Sequence, residues 1–141
     1  MKHMIFFFSL LAGLMLSGCF GHREAPERLV SAVGLEAALQ RRDTVQKVDL
    51  GGLKLERVPD VLAEMPRLQC LMLRRAETGN FAVLPRLGAL RMLDLSEMRL
   101  ARLPDEVARL APLQWLYLSD NAITNLPANL GALENLAYLN L

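Results

Sequence analysis

Residues 90–112, "LRMLDLSEMRLARLPDEVARLAP", are followed directly by a second stretch of the same length, "LQWLYLSDNAITNLPANLGALEN" at residues 113–135. Both stretches open with the pattern L-x-x-L-x-L and carry a Leu-Pro pair near the middle. Openings of similar form also begin at Val45, Leu68 and Leu136, so the period is 23 residues with one unit of 22. A period this regular is typical of a solenoid, in which each unit stacks on the next.

The alternating leucines within each opening predict a short strand with one buried face. Leu93 and Leu95 point to one side of such a strand, and Leu116 and Leu118 do the same in the next unit. One unit cannot bury these side chains by itself, so neighbouring units must stack and join their strands into a parallel sheet. The leucines that follow the Leu-Pro pair then fill the interior from the convex side.

These units resemble the 23-residue form of the leucine-rich repeat family. The resemblance implies an α/β solenoid with short parallel strands on its concave face, and about four repeats plus an incomplete fifth within residues 44–141. The asparagine that the family places in the turn after each strand is present only as Asn121. We expect looser or tilted turns at the equivalent positions, which hold Leu53, Ala76 and Met98.

The segment before the repeats, residues 27–43, is expected to cover their open end with a helix. Apolar residues recur there at helical spacing, and Pro26 precedes the first turn. Arg41 and Arg42 lie where positive charge favours a helix C-terminus. These features predict an amphipathic capping helix over about residues 27–42, although Gly34 in its middle costs about 1 kcal/mol relative to alanine.

The last opening, "LAYLNL" at residues 136–141, predicts a strand that no further unit follows in this sequence. A lone parallel edge strand favours association with other chains, because its backbone groups lack partners. The sequence leaves two interpretations open. Either the reading frame is a truncated part of a longer solenoid, or the edge pairs with another molecule, including a second copy.

The N-terminal segment, residues 1–18, has the form of a secretory signal. Lys2 and His3 precede an apolar run over residues 4–16 that only Ser9 interrupts, and small residues follow. A membrane-spanning helix usually needs about 20 apolar residues, so an uncleaved anchor is the weaker alternative.

The end of this segment, "LSGC" at residues 16–19, resembles the bacterial lipobox. The resemblance implies a diacylglycerol on the Cys19 thiol, cleavage just before Cys19, and a tether over residues 19–26 that holds the domain at a membrane. Phe20 is not the aspartate associated with inner-membrane retention, which implies the outer membrane if the host has two. The alternative is a plain secreted protein with a chance cysteine, and no cofactor besides the covalent lipid is expected.

Charge and residue types argue against an enzyme and against nucleic acid as a partner. The chain has 16 basic and 15 acidic residues, so its net charge calls for no polyanion. His3 and His22 both precede the repeats, which therefore lack a histidine for general-base or metal chemistry. Once Cys19 is lipidated, Cys70 has no partner for a disulfide, and we interpret it as a small buried apolar residue.

The strand positions that face away from the leucines form columns through the units. The first column holds Lys47, Cys70, Met92, Trp115 and Tyr138, the second holds Asp49, Met72, Asp94, Tyr117 and Asn140, and the third holds Gly51, Arg74, Ser96 and Ser119. Aromatic and methionine side chains on a sheet are typical of protein-binding surfaces. We therefore predict a protein ligand that contacts Met72, Arg74, Met92, Asp94, Trp115, Tyr117 and Tyr138.

Two alternatives apply to these rings. The preference of aromatic residues for strands, together with cross-strand stacking, is enough to place Trp115, Tyr117 and Tyr138 there without a ligand. The rings could also bind a continuation of the solenoid or a second copy, in which case the chain is a structural or self-associating piece with no independent ligand.

Overall fold

The computed structural model describes the backbone of Ile5–Phe6 and residues 30–141 of the chain. The rest of the predicted signal, the tether with Cys19, and residues 27–29 of the predicted cap lie outside the described residues. The lipobox and the signal peptide therefore stay predictions. Within the described ranges, no helix has the length and hydropathy that crossing a membrane requires.

One sheet runs through the whole described chain. Its strands are β1 (Ile5–Phe6), β2 (Ser31–Val33), β3 (Lys47–Asp49), β4 (Cys70–Met72), β5 (Met92–Asp94), β6 (Trp115–Tyr117) and β7 (Tyr138–Asn140). The order is β1-β7-β6-β5-β4-β3-β2, and β2 to β7 are all parallel. Each of β3 to β7 comes from one repeat opening, so the predicted α/β solenoid is confirmed.

The convex side of the solenoid consists of short 3₁₀ turns rather than long helices. They span Asp60–Glu64, Leu84–Arg86, Val107–Arg109 and Ala128–Ala132. Prolines help to start them: Pro59 and Pro127 immediately precede two of the turns, and Pro85 lies inside a third. The ring of proline fixes φ near the value that a helical turn needs, so these residues set where the chain folds back.

The core lies between the sheet and these turns. Each of the strands β2 to β7 contributes its central residue, and Val48, Leu71, Leu93 and Leu116 are completely buried. Burying one such aliphatic side chain stabilises the fold by roughly 1.5–3 kcal/mol. In the last full unit Leu126 is 39% exposed, because no described unit stacks on its far side.

The N-terminal cap differs from the predicted helix. Residues 31–33 form strand β2, which extends the parallel sheet by pairing with β3, and only Leu35–Leu39 forms an α-helix, α1. Gly34 separates the two elements at φ 83°, a left-handed conformation that glycine adopts without steric cost. Its N–H donates to the carbonyl of Asp49 at 2.8 Å. A continuous helix over residues 27–42 is therefore wrong, because β3 offers β2 backbone partners that outweigh its local helical spacing.

The turns after the strands are only partly as predicted. In the Ala76 turn, the Ala76 N–H donates to the carbonyl of Leu73 at 2.8 Å, so this turn is closed rather than loose. The equivalent bond from Leu53 to Leu50 is longer, 3.3 Å. The backbone closes each of these turns itself, which compensates for the missing asparagine.

The C-terminal edge is not unpaired in the structure. Strand β1 pairs antiparallel with β7, with Ile5 opposite Asn140 and Phe6 opposite Leu139. In the uncleaved chain this pairing contradicts the expectation of an open edge at β7, because backbone groups of β1 satisfy those of the edge strand. Cleavage before Cys19, which the lipobox resemblance implies, would remove β1, so the open edge stays a prediction for the cleaved chain.

Candidate partner-binding surface

The strand register confirms the first two predicted columns. Neighbouring strands pair Lys47 with Cys70, Cys70 with Met92, Met92 with Trp115, and Trp115 with Tyr138. The second column follows in the same way from Asp49 to Asn140. Register can hold over five strands because every unit contributes its strand at the same point of the repeat. The side chains of each column are thus direct cross-strand neighbours on the concave face.

The candidate residues differ in how much surface they offer. Met72, Asp94, Trp115, Tyr117 and Tyr138 are half-buried, and Arg74 is exposed. Each of these six side chains has atoms that a partner could contact.

Met92 differs from the other candidate residues because it is only 8% exposed. The Cys70 thiol, itself completely buried, donates to the Met92 sulfur at 3.4 Å. Met92 therefore supports the face from below and offers a partner little area, a placement that alternation along the strand alone does not reveal.

The three aromatic side chains Trp115, Tyr117 and Tyr138 form what we call the ring patch. The rings of Tyr117 and Tyr138 have their centroids 5.2 Å apart and are tilted by 46°, a favourable geometry for an aromatic pair. Trp115 lies opposite Tyr138 in the strand register. Burial raises the pKa of the Tyr117 hydroxyl, and the neighbouring Tyr138, Asp94 and Cys70 act in the same direction.

Two aspartates of the second column bind the backbone of the turns that follow their strands, and one of them, Asp94, is the cross-strand neighbour of Tyr117. The Asp94 carboxylate accepts a hydrogen bond from the Ser96 N–H at 2.9 Å, and Asp49 accepts one from Gly51 at 2.8 Å. Each aspartate thereby fixes the first residues of the turn that follows its own strand. Two neighbouring members of the predicted third column are in contact, since the Ser119 hydroxyl donates to that of Ser96 at 3.2 Å.

Arg74 is engaged by an acidic residue that the sequence analysis did not single out. Its Nε donates to Oε1 of Glu97 at 2.6 Å, and its Nη2 contacts the same oxygen. Arg75 Nε lies 3.0 Å from the other oxygen, Oε2. The Glu97 carboxylate therefore binds both arginines of the preceding turn and joins that turn to its own. Hydrogen bonding to Glu97 raises the pKa of Arg74.

A further column of residues with left-handed backbone lies beside these charges. Gly52, Arg75, Glu97 and Asp120 occupy equivalent positions and have φ of 71°, 63°, 57° and 58°. A groove of about 980 Å³ runs along the same loops and is lined in part by Arg75, Glu77, Glu97, Arg99 and Asp120. The glycine at position 52 is the one clear signal in the sequence for this column.

Cys70 is a free, buried thiol, as interpreted from the sequence. Burial is the main cause that raises its pKa from 9.0 to about 11, a shift that Lys47 opposes and that Asp94 and Asp49 reinforce. In the part of the chain that the structure describes, no group of three or more His, Cys, Asp or Glu could hold a metal ion.

Known proteins show the same architecture. Residues 88–141 match the family model described as leucine rich repeat. One of the 44 solved chains that match is a leucine-rich repeat protein of Leptospira interrogans, with 28% sequence identity and a TM-score of 0.64. The match covers 75% of this chain and 33% of that chain, so this chain spans about one third of its length. No curated protein matches the sequence.

Leucine-rich repeat proteins are typically non-enzymatic protein-binding modules. The chain has the fold of this family, and its C-terminal repeats, residues 88–141, match the family by sequence as well.

Proposed function

We propose that the chain is a lipid-anchored module that binds a partner protein through the concave face of its solenoid. The ring patch is the observation that carries this proposal. Of the aromatic residues that follow the predicted tether, Trp115, Tyr117 and Tyr138 are half-buried on this face, whereas Phe81 is buried in the core. Half-buried rings present large contact area at a small entropic cost, which is why they dominate binding energy at many interfaces.

The anchor is the second part of the proposal, and it rests on the lipobox-like "LSGC" at residues 16–19. Two acyl chains on Cys19 would hold the module firmly at a membrane, since each buried CH₂ contributes about 0.8 kcal/mol. By the same resemblance we propose the outer membrane as its location in a host with two membranes. The repeats would then face a partner in the cell envelope.

Intact mass measurement of the protein extracted from host membranes tests the anchor. The expected mass begins at an acylated Cys19, and Cys19→Ser should retain residues 1–18 and carry no lipid. An unmodified Cys19 in the extracted protein would contradict the anchor and leave the binding face to be judged separately.

Site-specific photo-crosslinking in whole cells tests the binding face. A photoreactive amino acid replaces Met72 or Asn140, which flank the ring patch in the second column, and in the controls it replaces Glu64 or Arg109 on the convex side. We expect a discrete heavier adduct from the two concave positions only. The adduct should be lost when Trp115 and Tyr117 are both replaced by alanine, while circular dichroism and the urea midpoint confirm that the variant folds.

The outcome also distinguishes the competing function. An adduct of twice the chain's own mass would identify a second copy as the occupant, and the module would then be a self-associating piece of a solenoid. Equal adducts from the concave and convex positions would contradict a dedicated binding face.

A further inference from the structure

The part of the concave face around the ring patch carries one formal charge, and that charge is negative. The outward positions of β5 to β7 hold Met92, Asp94, Trp115, Tyr117, Tyr138 and Asn140, of which only Asp94 is ionised at neutral pH. Asp94 is also the direct cross-strand neighbour of Tyr117. Since adjacent strands lie about 4.8 Å apart, its carboxylate stands beside the aromatic pair.

This carboxylate retains capacity for a further partner. Oδ1 accepts the hydrogen bond from Ser96, and among the described residues Oδ2 accepts none and forms no ion pair. Arg74, whose charge also interacts with that of Asp94, directs its hydrogen bonds to Glu97 and forms no ion pair with Asp94. Lys47 belongs to β3, two strands away from β5, which is about 10 Å by strand spacing.

The rings beside Asp94 have the complementary property. The face of an aromatic ring is electron-rich and attracts a cation that lies within about 6 Å of its centroid. Tyr117 and Tyr138, with centroids 5.2 Å apart and planes tilted by 46°, bring two such rings together next to one carboxylate. A ring pair and an acid in this arrangement suit a positively charged side chain, whereas a carboxylate of a partner would be repelled.

We propose that the ring patch and Asp94 together bind an arginine or lysine side chain of the partner protein. The inference rests on the proposed function and specifies its chemistry: the partner presents a positively charged side chain to β5–β7. Asp94 forms the ion pair, and Tyr117 and Tyr138 contact the cation and its aliphatic stem. Arginine is expected to bind more tightly than lysine, because its planar guanidinium stacks on rings and pairs with a carboxylate through two donors.

The chain contains its own reporter for this interaction, since Trp115 is the only tryptophan and lies in the patch. Short peptides in which glycine alternates with arginine, lysine, glutamate or serine are titrated into the detergent-solubilised full-length chain. We expect a saturable change in Trp115 fluorescence with the arginine peptide, a weaker one with lysine, and none with glutamate or serine. Raising the salt concentration should weaken the response, because part of the interaction is an exposed ion pair.

Variants assign the effect to the named groups. Asp94→Asn should weaken arginine-peptide binding by about fivefold or more, and Tyr138→Leu should weaken it while keeping the apolar area. The matched control is Asp105→Asn, which removes the same charge from an exposed residue before the convex turn Val107–Arg109 and should change nothing. Equal binding of the glutamate peptide, an unchanged affinity in Asp94→Asn, or no response to the arginine peptide would overturn the inference.

The crosslinking experiment separates this inference from the proposed function. If the concave adduct forms equally well in Asp94→Asn, the face binds a protein without recognising a cation, so this inference fails and the proposed function stands. If no concave adduct forms in either chain, the proposed function fails as well.

Discussion

The turns that follow the strands are stabilised by different groups in the C-terminal and the N-terminal units. Asn121 accepts hydrogen bonds at Oδ1 from the N–H groups of Met98 and Leu100, both at 3.0 Å. Its Nδ2 donates to the carbonyls of Leu95 and Leu118, both at 2.8 Å. One half-buried amide therefore ties two consecutive turns together.

The N-terminal turns depend on the backbone and on exposed charges. The Ala76 turn closes through its own N–H, and ion pairs at the surface join it to the turns on either side. Lys54 Nζ lies 3.6 Å from Glu77 Oε2, and Arg75 Nε lies 3.0 Å from Glu97 Oε2. The same repeating fold is therefore stabilised in two ways, by a side-chain amide in one part and by surface ion pairs in the other. Salt should weaken the exposed ion pairs and leave the hydrogen bonds of the neutral amide unchanged.

The largest expected effect comes from removing the amide. Asn121→Ala should lower the free energy of unfolding by about 3 kcal/mol, because four backbone groups in partly buried turns lose a partner. Urea denaturation measures this change. Asn125→Ala is the matched control. Among the described residues the exposed Asn125 donates only to the neighbouring Thr124 hydroxyl, so its effect should be within about 0.5 kcal/mol. Equal effects of the two substitutions would remove the distinction between the two kinds of turn.

The next effect depends on pH and concerns Cys70 in β4. The folded chain holds the Cys70 thiol proton more tightly than the unfolded chain, because burial raises its pKa from 9.0 to about 11. The contribution of this protonated thiol to the free energy of unfolding is fully present below pH 9 and is lost as pH rises through about 11. Over that interval wild type should lose about 2 kcal/mol more than Cys70→Ala. Parallel pH profiles of the two proteins in urea denaturation would contradict the burial of this thiol.

A smaller effect tests the left-handed column. Gly52→Ala should cost about 1 kcal/mol, because φ is 71° there and a side chain disfavours that conformation. An added Cβ would meet no atom within 4 Å at Gly52 or at Gly88, and only Gly52 has a positive φ. Gly88→Ala is therefore the matched control, expected to leave the thermal midpoint unchanged or slightly raised. A similar loss from both substitutions would show that backbone strain is not the cause.

The smallest effect distinguishes the charged turns from the amide turn by salt. Glu97→Gln removes the carboxylate that joins Arg74 and Arg75, so its urea midpoint should lie slightly below that of wild type at low ionic strength. The difference should vanish at about 1 M salt, where screening acts within about 3 Å. The deficit of Asn121→Ala should persist at the same salt concentration. A salt-independent deficit in Glu97→Gln would mean that Glu97 acts through packing or backbone conformation instead.

Much of the fold could be predicted because its determinants are local and repeated. The alternation of leucines assigns one face of every strand to the core, and the constant period aligns Met92 with Trp115 and Asp94 with Tyr117. The cap could not be predicted in this way. Residues 31–33 carry helical spacing, but β3 supplies backbone partners that make them a strand, and no local pattern reports a partner that is distant in sequence.

The candidate site was likewise predictable in part: the sequence indicates its members but not their exposure. Its members could be named because outward positions follow from the period of two along each strand. How much surface each offers depends on neighbours: Met92 is buried against Cys70, whereas Trp115 in the same column is half-buried. The left-handed column could not be predicted, because Arg75 and Glu97 are residue types that rarely adopt positive φ, and only the stacked turns hold them there.

The sequence by itself determined the repeat, the buried face of each strand and the columns that bring Trp115, Tyr117 and Tyr138 together. These three features depend only on the spacing of residue types along the chain, which can be read directly from the sequence. Only the tertiary structure decided that Glu97 joins two arginines, that Asn121 ties two turns, and that Ile5–Phe6 pairs with β7. Such contacts are set by distances of about 3 Å between groups far apart in sequence, and those distances exist only once the units have stacked.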